Sequence, residues 1–306
     1  MTVTEKYNLI VVLGPTASGK TRFAAKLASE INGEIISADS RQVYREMTIG
    51  TGKDYEDYIV DGKKINYHLI DIVEPGYKYN LFEYQKDFFQ SFEQVTSRGK
   101  FPVLCGGTGL YIEAVLKKYK MVHVPVNEEL RKELEGKTLP ELTDILKTFK
   151  QLHNTTDTET VSRAIRSIEI ETFYKNNPDI VLDLPDIRPL IIGISIDRQA
   201  RRERITERLK KRLDEGMTDE VKSLLDKGLT PEDLIYYGLE YKYVTLYLTG
   251  ELNYNEMYEK LNTSIHRFAK RQMTWFRGME RRGIKINWLD AFEPDEKKIE
   301  KVLDFF

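Results

Sequence analysis

Residues Tyr7–Leu13 form a near-continuous apolar, β-branched run that stops at Gly14, the pattern of a strand buried on both faces of a parallel sheet. Phe23, Ala24, Leu27, Ala28 and Ile31 then recur at helical spacing and meet Asn32-Gly33, so a helix with a left-handed stop is predicted next. Glu34–Ala38 and Phe101–Cys105 repeat the strand pattern; the first delivers Asp39-Ser40-Arg41-Gln42-Val43-Tyr44 and the second Gly106-Gly107-Thr108-Gly109. Open α/β sheets place their ligands at such C-terminal strand ends. A helix carrying Leu110, Ile112, Val115 and Leu116 follows the second of them. From about Lys117 the texture changes. Leu130, Leu134, Leu139, Leu142, Ile145, Leu146, Phe149 and Leu152 fit short amphipathic helices, and no strand pattern is found until Pro189. Pro189–Ile196 reads as a resumed strand ended by Asp197. Ile205, Leu209, Leu213, Met217, Val221 and Leu225, four residues apart, predict one long helix after it. The last third is largely helical, with a late strand at Ile284–Leu289, and no internal repeat is visible.

Eight consecutive residues, Gly14-Pro15-Thr16-Ala17-Ser18-Gly19-Lys20-Thr21, match the P-loop pattern in full between a predicted strand and a predicted helix. Glycines let successive backbone N–H groups turn toward phosphate oxygens, the helix N-terminus adds partial positive charge, and Lys20 reaches the terminal phosphate. Thr21, and with it Ser18, is expected near a bound Mg²⁺. The expected fold is therefore α/β, a P-loop NTPase-like parallel sheet flanked by helices at 1–120 and 188–306, with an all-helical insertion at 121–187.

Composition narrows this picture only slightly. The chain has 306 residues and 41% hydrophobic content, and no stretch approaches the roughly 18 apolar residues of a membrane span. A cytoplasmic enzyme without a membrane partner, working as a monomer, is expected. A single cysteine, Cys105, excludes an internal disulfide and a cysteine-rich zinc site; in an apolar strand it reads as a buried thiol. The net charge of -2 gives no global argument for nucleic acid, but eight Lys/Arg between Arg198 and Arg212 face only Glu203 and Glu207, and a second basic cluster spans Arg267 to Lys285. Each run alone is also what a solvated helix face looks like.

A P-loop does not name a reaction. Asp39 stands where a hydrolytic motor carries its Mg²⁺-holding aspartate, yet it is embedded in Asp-Ser-Arg-Gln-Val-Tyr and followed by Met47-Thr48-Ile49-Gly50-Thr51-Gly52-Lys53. Together with the P-loop, with Gly106-Gly107-Thr108-Gly109-Leu110-Tyr111 and with Ala269-Lys270-Arg271-Gln272 running on to Thr274-Trp275-Phe276-Arg277, this sequence resembles the tRNA dimethylallyltransferase (tRNA isopentenyltransferase) family from Gly14 to Arg277. Its stop at Phe306, without the zinc-finger extension typical of eukaryotic members, is similar to the bacterial type.

The resemblance implies transfer of the dimethylallyl group of dimethylallyl diphosphate to N6 of the adenine 3′ of the anticodon, with pyrophosphate leaving in the P-loop. Negative charge grows on that leaving group, so the loop amides, Lys20, a Mg²⁺ near Thr21 and an arginine should bind the transition state better than the ground state. Arg204 is the arginine the resemblance aligns, with Arg208 as the alternative. The amine needs a base, and Asp39 is the candidate; Mg²⁺ or structural work is its other reading. Thr108 is aligned with a threonine that binds the base or the developing charge, and it also reads as a plain helix N-cap. Contacts to the tRNA anticodon stem-loop are implied for Asp39, Ser40, Arg41, Gln42 and Thr108. In the insertion they are implied for Arg131 and for Glu159, Thr160, Val161, Ser162 and Arg163; near the C-terminus, for Lys270, Arg271, Gln272 and Trp275. Two departures are visible: Thr160 replaces a common arginine, and Gly238-Leu239-Glu240-Tyr241 replaces a Gly-Tyr-basic motif. They point to altered tRNA choice or to a paralogue with another acceptor. A kinase with the insertion as a lid, and a noncatalytic RNA-binding module, are the rival classes.

Overall fold

A computed structural model describes residues 6–152, 156–180 and 182–305. The chain opens with β1 (Leu9–Leu13), α1 (Lys20–Glu30) and β2 (Gly33–Ala38), followed by the short strands β3 (Ile59–Val60), β4 (Lys63–Lys64) and β5 (Tyr67–His68). Then come α2 (Leu81–Ser97), β6 (Phe101–Gly106) and α3 (Gly109–Leu116). Three helices follow, α4 (Glu128–Leu134), α5 (Leu139–Lys147) and α6 (Val161–Asn176), and then β7 (Pro189–Ser195). The remainder is α7 (Arg198–Asp214), α8 (Met217–Asp226), α9 (Pro231–Tyr236), α10 (Leu239–Leu248), α11 (Tyr254–Arg281), β8 (Asn287–Asp290) and α12 (Asp295–Leu303).

Six strands form one sheet in the order β5-β2-β6-β1-β7-β8, with every pairing parallel. Helices cover both faces, which is why the central strand β1 reads Leu-Ile-Val-Val-Leu and is buried at every position. Parallel pairing brings the C-terminal ends to one edge: Leu13 lies beside Gly106 and Gly193, and Ala38 beside Gly106. The loops that carry Gly14–Lys20, Asp39 and Thr108 leave the sheet side by side at that edge. Ile10, Val12, Phe23, Leu27, Ile35 and Ile192 join the core beneath it.

The chain divides into two compact units, residues Met1–Tyr119 with Pro185–Phe306, and residues Lys120–Leu184. The second is helical, with its own small core of Leu134, Leu142, Leu146, Ala164 and Ile168. Among the described residues no helix is long and apolar enough to cross a membrane.

The structure differs from the hydrophobic pattern in three places. The long helix expected through Leu225 is broken at Gly216, whose φ of 97° is left-handed, so α7 ends and α8 begins there. The apolar spacing runs through the break because Ile205, Leu209, Met217 and Val221 are all buried. The late strand starts at Asn287 instead of Ile284, whose amide still caps α11 by donating to Met279 O. The two-residue strand β5 at the sheet edge is too short to leave a period in the sequence.

Candidate functional site

The P-loop is built by its backbone angles. Ala17 and Gly19 have φ of 63° and 80°, both left-handed, which turns neighbouring N–H groups toward a common point. Thr16, Ala17, Gly19, Lys20 and Thr21 line a cleft of about 740 Å³. Gly14 and Pro15 form the underside, with Ser18 N donating to Pro15 O at 3.3 Å. Lys20 Nζ lies 3.4 Å from Pro15 O, and burial lowers its pKa against the pull of the Cys105 thiol and the Asp39 carboxylate. The two hydroxyls expected near a metal part company here. Thr21 faces the cleft beside Cys105, a buried thiol whose pKa desolvation pushes up to about 12. Ser18 is only 2% exposed, and its Oγ sits 2.8 Å from where a Gly14 Cβ would stand, with no hydrogen-bond partner among the described residues. Ser18 therefore belongs to the packing under the loop.

Asp39 and Thr108 meet across the neighbouring strand ends. Asp39 Oδ1 accepts from Arg41 N at 3.0 Å, while Thr108 Oγ1 accepts from Ser40 N at 3.1 Å. Thr108 stands at the N-cap of α3, but its hydroxyl makes no cap bond; that reading is set aside. Gln42 donates from Nε2 to Gly52 O at 3.1 Å and accepts from Ser37 Oγ at 3.3 Å, tying the Asp39 loop to the Gly50–Lys53 turn. That turn is held in place by Glu220 of α8, a residue the sequence did not single out. Its carboxylate accepts from Thr48 N at 2.8 Å, Ile49 N at 2.7 Å, Gly50 N at 3.0 Å and Tyr241 OH at 2.6 Å.

Arg204, Arg208 and Arg212 share one face of α7, and all three line the cleft. Arg208 stands level with the P-loop and donates from Nη2 to Thr16 Oγ1; burial and the neighbouring Arg212 bring its pKa down to about 10. Arg204, one turn earlier, stacks its guanidinium 4.7 Å from the Phe292 ring centroid. The arginine in contact with the loop is thus Arg208, the alternative and not the first choice, because Arg204, on the same face of α7, lies one turn away from the loop and meets Phe292 instead. Arg212 is 6% exposed and lies 3.3 Å from Asp54 Oδ2.

On α11, Gln272 is buried. Its Oε1 accepts from Thr16 N at 2.8 Å and its Nε2 donates to Gly107 O at 2.9 Å. The expected external contact is thereby corrected to an internal bridge. Trp275 is 39% exposed and packs on Gly109, where a Cβ would lie 2.3 Å from the indole. Arg271 and Phe268 also face the cleft, whereas Lys270 is exposed on the outer side. Arg41 lies 5.5 Å from the centroid of the exposed Tyr236 ring. Glu240, in the departure from the Gly-Tyr-basic motif, puts a carboxylate into the cleft. Burial raises its pKa, and Arg212 and Arg208 pull against that.

In the helical unit Arg131 is engaged: its Nε and Nη2 donate to Glu169 at 2.7 and 2.9 Å. Glu169 also accepts from Arg166 Nη1 and Asn127 N, both at 3.0 Å. Thr160 caps α6, accepting from Arg163 N at 3.2 Å, which gives the departure from arginine a local reason. Glu159 pairs with Arg163 one turn on, and Val161 and Ser162 are exposed beside them. Among the described residues no cluster of three or more His, Cys, Asp or Glu offers a metal cage.

A parallel sheet with a P-loop nest at its C-terminal edge, joined there by an aspartate, a threonine and an arginine, defines a P-loop α/β enzyme with a phosphate cradle open to a large cleft. The profile described as IPP transferase matches residues 42–279, and that described as isopentenyl transferase matches residues 7–71. tRNA dimethylallyltransferase 2 of Bacteroides fragilis is 62% identical over 293 residues, 96% of each chain. The full-length tRNA isopentenylpyrophosphate transferase of Bacillus halodurans superposes with a TM-score of 0.71 at 32% identity, covering 98% of this chain and 95% of that one. A eukaryotic dimethylallyltransferase captured acting on tRNA shares the fold, with a TM-score of 0.80 at 23% identity over 97% of this chain and 79% of its own. The chain belongs to the IPP transferase family.

Proposed function

We propose that the cleft transfers the dimethylallyl group of dimethylallyl diphosphate to N6 of the adenine 3′ of the anticodon in tRNA and releases pyrophosphate. The observation that carries this reading is the convergence of the P-loop nest, Asp39 and Thr108 on one cleft at three adjacent strand ends. The bond from the prenyl C1 to the diphosphate oxygen breaks, its electron pair leaves with pyrophosphate, C1 bonds to N6, and the N6 proton passes to Asp39. Loop amides, Lys20 and Arg208 meet the charge that grows on the leaving group. Burial lowers the pKa of Lys20, and the negative charge of an arriving diphosphate works in the opposite direction. Thr108 fixes the Asp39-Ser40 turn and offers its hydroxyl to the base.

A Mg²⁺ ion fits this donor set. Thr21 faces the cleft and no all-protein cage exists among the described residues, so the ion would be shared between Thr21 and diphosphate oxygens, as Mg²⁺ commonly is. Bound there, it neutralises diphosphate charge. The adenine must leave the anticodon-loop stack to reach Asp39, and Trp275 and Phe268 offer exposed rings for splayed nucleotides. In this reading Arg41, Arg271 and Lys270 take tRNA phosphates, and on the helical unit, taken by itself, Arg163 and the start of α6 do the same. We take the enzyme to work as a cytoplasmic monomer.

Incubating the purified protein with Mg²⁺, dimethylallyl diphosphate and tRNA, then digesting to nucleosides for mass spectrometry, tests the reading. An adenosine heavier by one dimethylallyl group is expected. ATP-dependent phosphorylation of an acceptor with unmodified tRNA overturns it in favour of a kinase.

A further inference from the structure

Gln272 sits on the helix that presents Phe268, Arg271 and Trp275 to the cleft and lines the cleft beside them, yet it is buried and both ends of its amide are taken up by the protein. Its amide oxygen takes the Thr16 N–H of the P-loop, and its amide nitrogen reaches the Gly107 carbonyl, one residue before Thr108. Thr16 is gripped a second time, through its hydroxyl, by Arg208. The P-loop is thereby fastened to two helices and to the loop that carries Thr108. The fit leaves no slack: a Cβ on Gly107 would stand 2.4 Å from Gln272 Nε2. Both backbone groups are satisfied by a side chain that carries an acceptor and a donor on one planar group of this length, as the glutamine amide does. Asn is a methylene too short, Glu lacks the donor when ionised, and Lys or Arg lacks the acceptor.

Building on the transferase reading, we infer that Gln272 is a positioning residue that sets the span between the diphosphate loop and the acceptor loop. Its amide fixes where the leaving group sits relative to Asp39 and Thr108. Near-attack geometry is sensitive to displacements of about an ångström, which can cost on the order of a hundredfold in rate. With its partners released, Thr16 is free to turn its N–H toward the diphosphate, and the loop loses the register in which Ala17, Gly19 and Lys20 converge.

The test compares Q272L and Q272E with the wild type. Three quantities are measured: single-turnover prenyl transfer to tRNA, tRNA affinity by filter binding, and thermal stability in the absence of substrate. Q272L is expected to bind tRNA as the wild type does and, well below its Tm, to transfer at least tenfold more slowly. Q272E keeps the acceptor for Thr16 and loses the donor to Gly107. It is expected to be slow at pH 8 and to recover relative to the wild type toward pH 6, where the new carboxyl takes up a proton and regains a donor. A merely structural role lowers Tm and leaves the rate of folded enzyme and its pH profile unchanged; that result overturns the proposal, as does lost tRNA affinity with an intact single-turnover rate. Should Q272L not fold, Q272E at wild-type rate across this pH range overturns it equally. A wild-type protein that fails to prenylate tRNA is a separate failure, of the transferase reading itself.

Discussion

In the proposed reaction Asp39 takes the proton and Arg208 meets the growing charge. D39N keeps the acceptor that holds Arg41 N but cannot serve as a base. Transfer should fall by roughly a hundredfold to ten-thousandfold, the usual range for a general base, while tRNA affinity survives. Single-turnover assays beside filter binding check this, and wild-type transfer by D39N would remove Asp39 from the mechanism. R208A removes a cation that stands on the P-loop, and a loss of about a hundredfold or more is expected. R204A gives up a stacking contact on Phe292 and should change the rate only a few-fold. The reverse order would return the role to Arg204. The difference between these two arginines was not legible in the sequence, since a four-residue spacing puts both on one face and only the height of α7 against the loop separates them. The P-loop, Asp39 and Thr108 were legible because each follows directly on an apolar strand. Gln272 was marked by its motif, but its bridging role carried no local signal, since its partners lie 256 and 165 residues away.

Among elements, the helical unit depends most visibly on a polar centre. Glu169 is fully shielded, and burial alone would raise its pKa; hydrogen bonds from Arg131, Asn127 N and Arg166 overcome this and hold it at about 2. Its folded pKa lies below the ordinary 4.5, so the stabilisation is complete above about pH 4.5 and is lost as pH falls toward 2. On the order of 3 kcal/mol is at stake. Hydrogen exchange on the intact chain should therefore show α4–α6 opening first as pH is lowered from 6 toward 3. E169Q should open these helices already at pH 7, because it leaves Arg131 and Arg166 without their counter-charge, and should flatten the acid dependence. Equal acid slopes in E169Q and the wild type would refute this. Helices α4 and α5 of this unit were readable from apolar spacing, as were β1, β2, β6 and β7, whereas α6 was not marked out by it. The break at Gly216 was not, since the buried stripe continues through it while only the backbone reverses hand. G216A should cost about 1 kcal/mol or more for the forced left-handed φ, seen as a lower Tm.

At the scale of the whole molecule, a net charge of -2 sets a tRNA-binding reading against long-range repulsion, and the distribution of charge decides the matter. Six cationic side chains and four carboxylates line the cleft, so the local balance is positive where the chain overall is negative. Two of those carboxylates are already opposed inside the protein, Asp54 by Arg212 and Glu240 by Arg208 and Arg212, which leaves Arg41 and Arg271 at the rim as the cations most available to phosphates. Each phosphate so neutralised releases counterion and contributes close to one unit to the slope of log affinity against log salt. With two or three such contacts, raising salt fourfold, from about 50 to about 200 mM, should weaken tRNA binding by roughly tenfold to fortyfold. The paired substitution R41A/R271A should lower that slope by about 2 while leaving binding of inorganic pyrophosphate to the P-loop unchanged, because neither side chain has a bond to the loop. A slope that is flat in the wild type, or unchanged in the pair, would place the tRNA on another surface of the molecule and leave the cleft with its diphosphate alone.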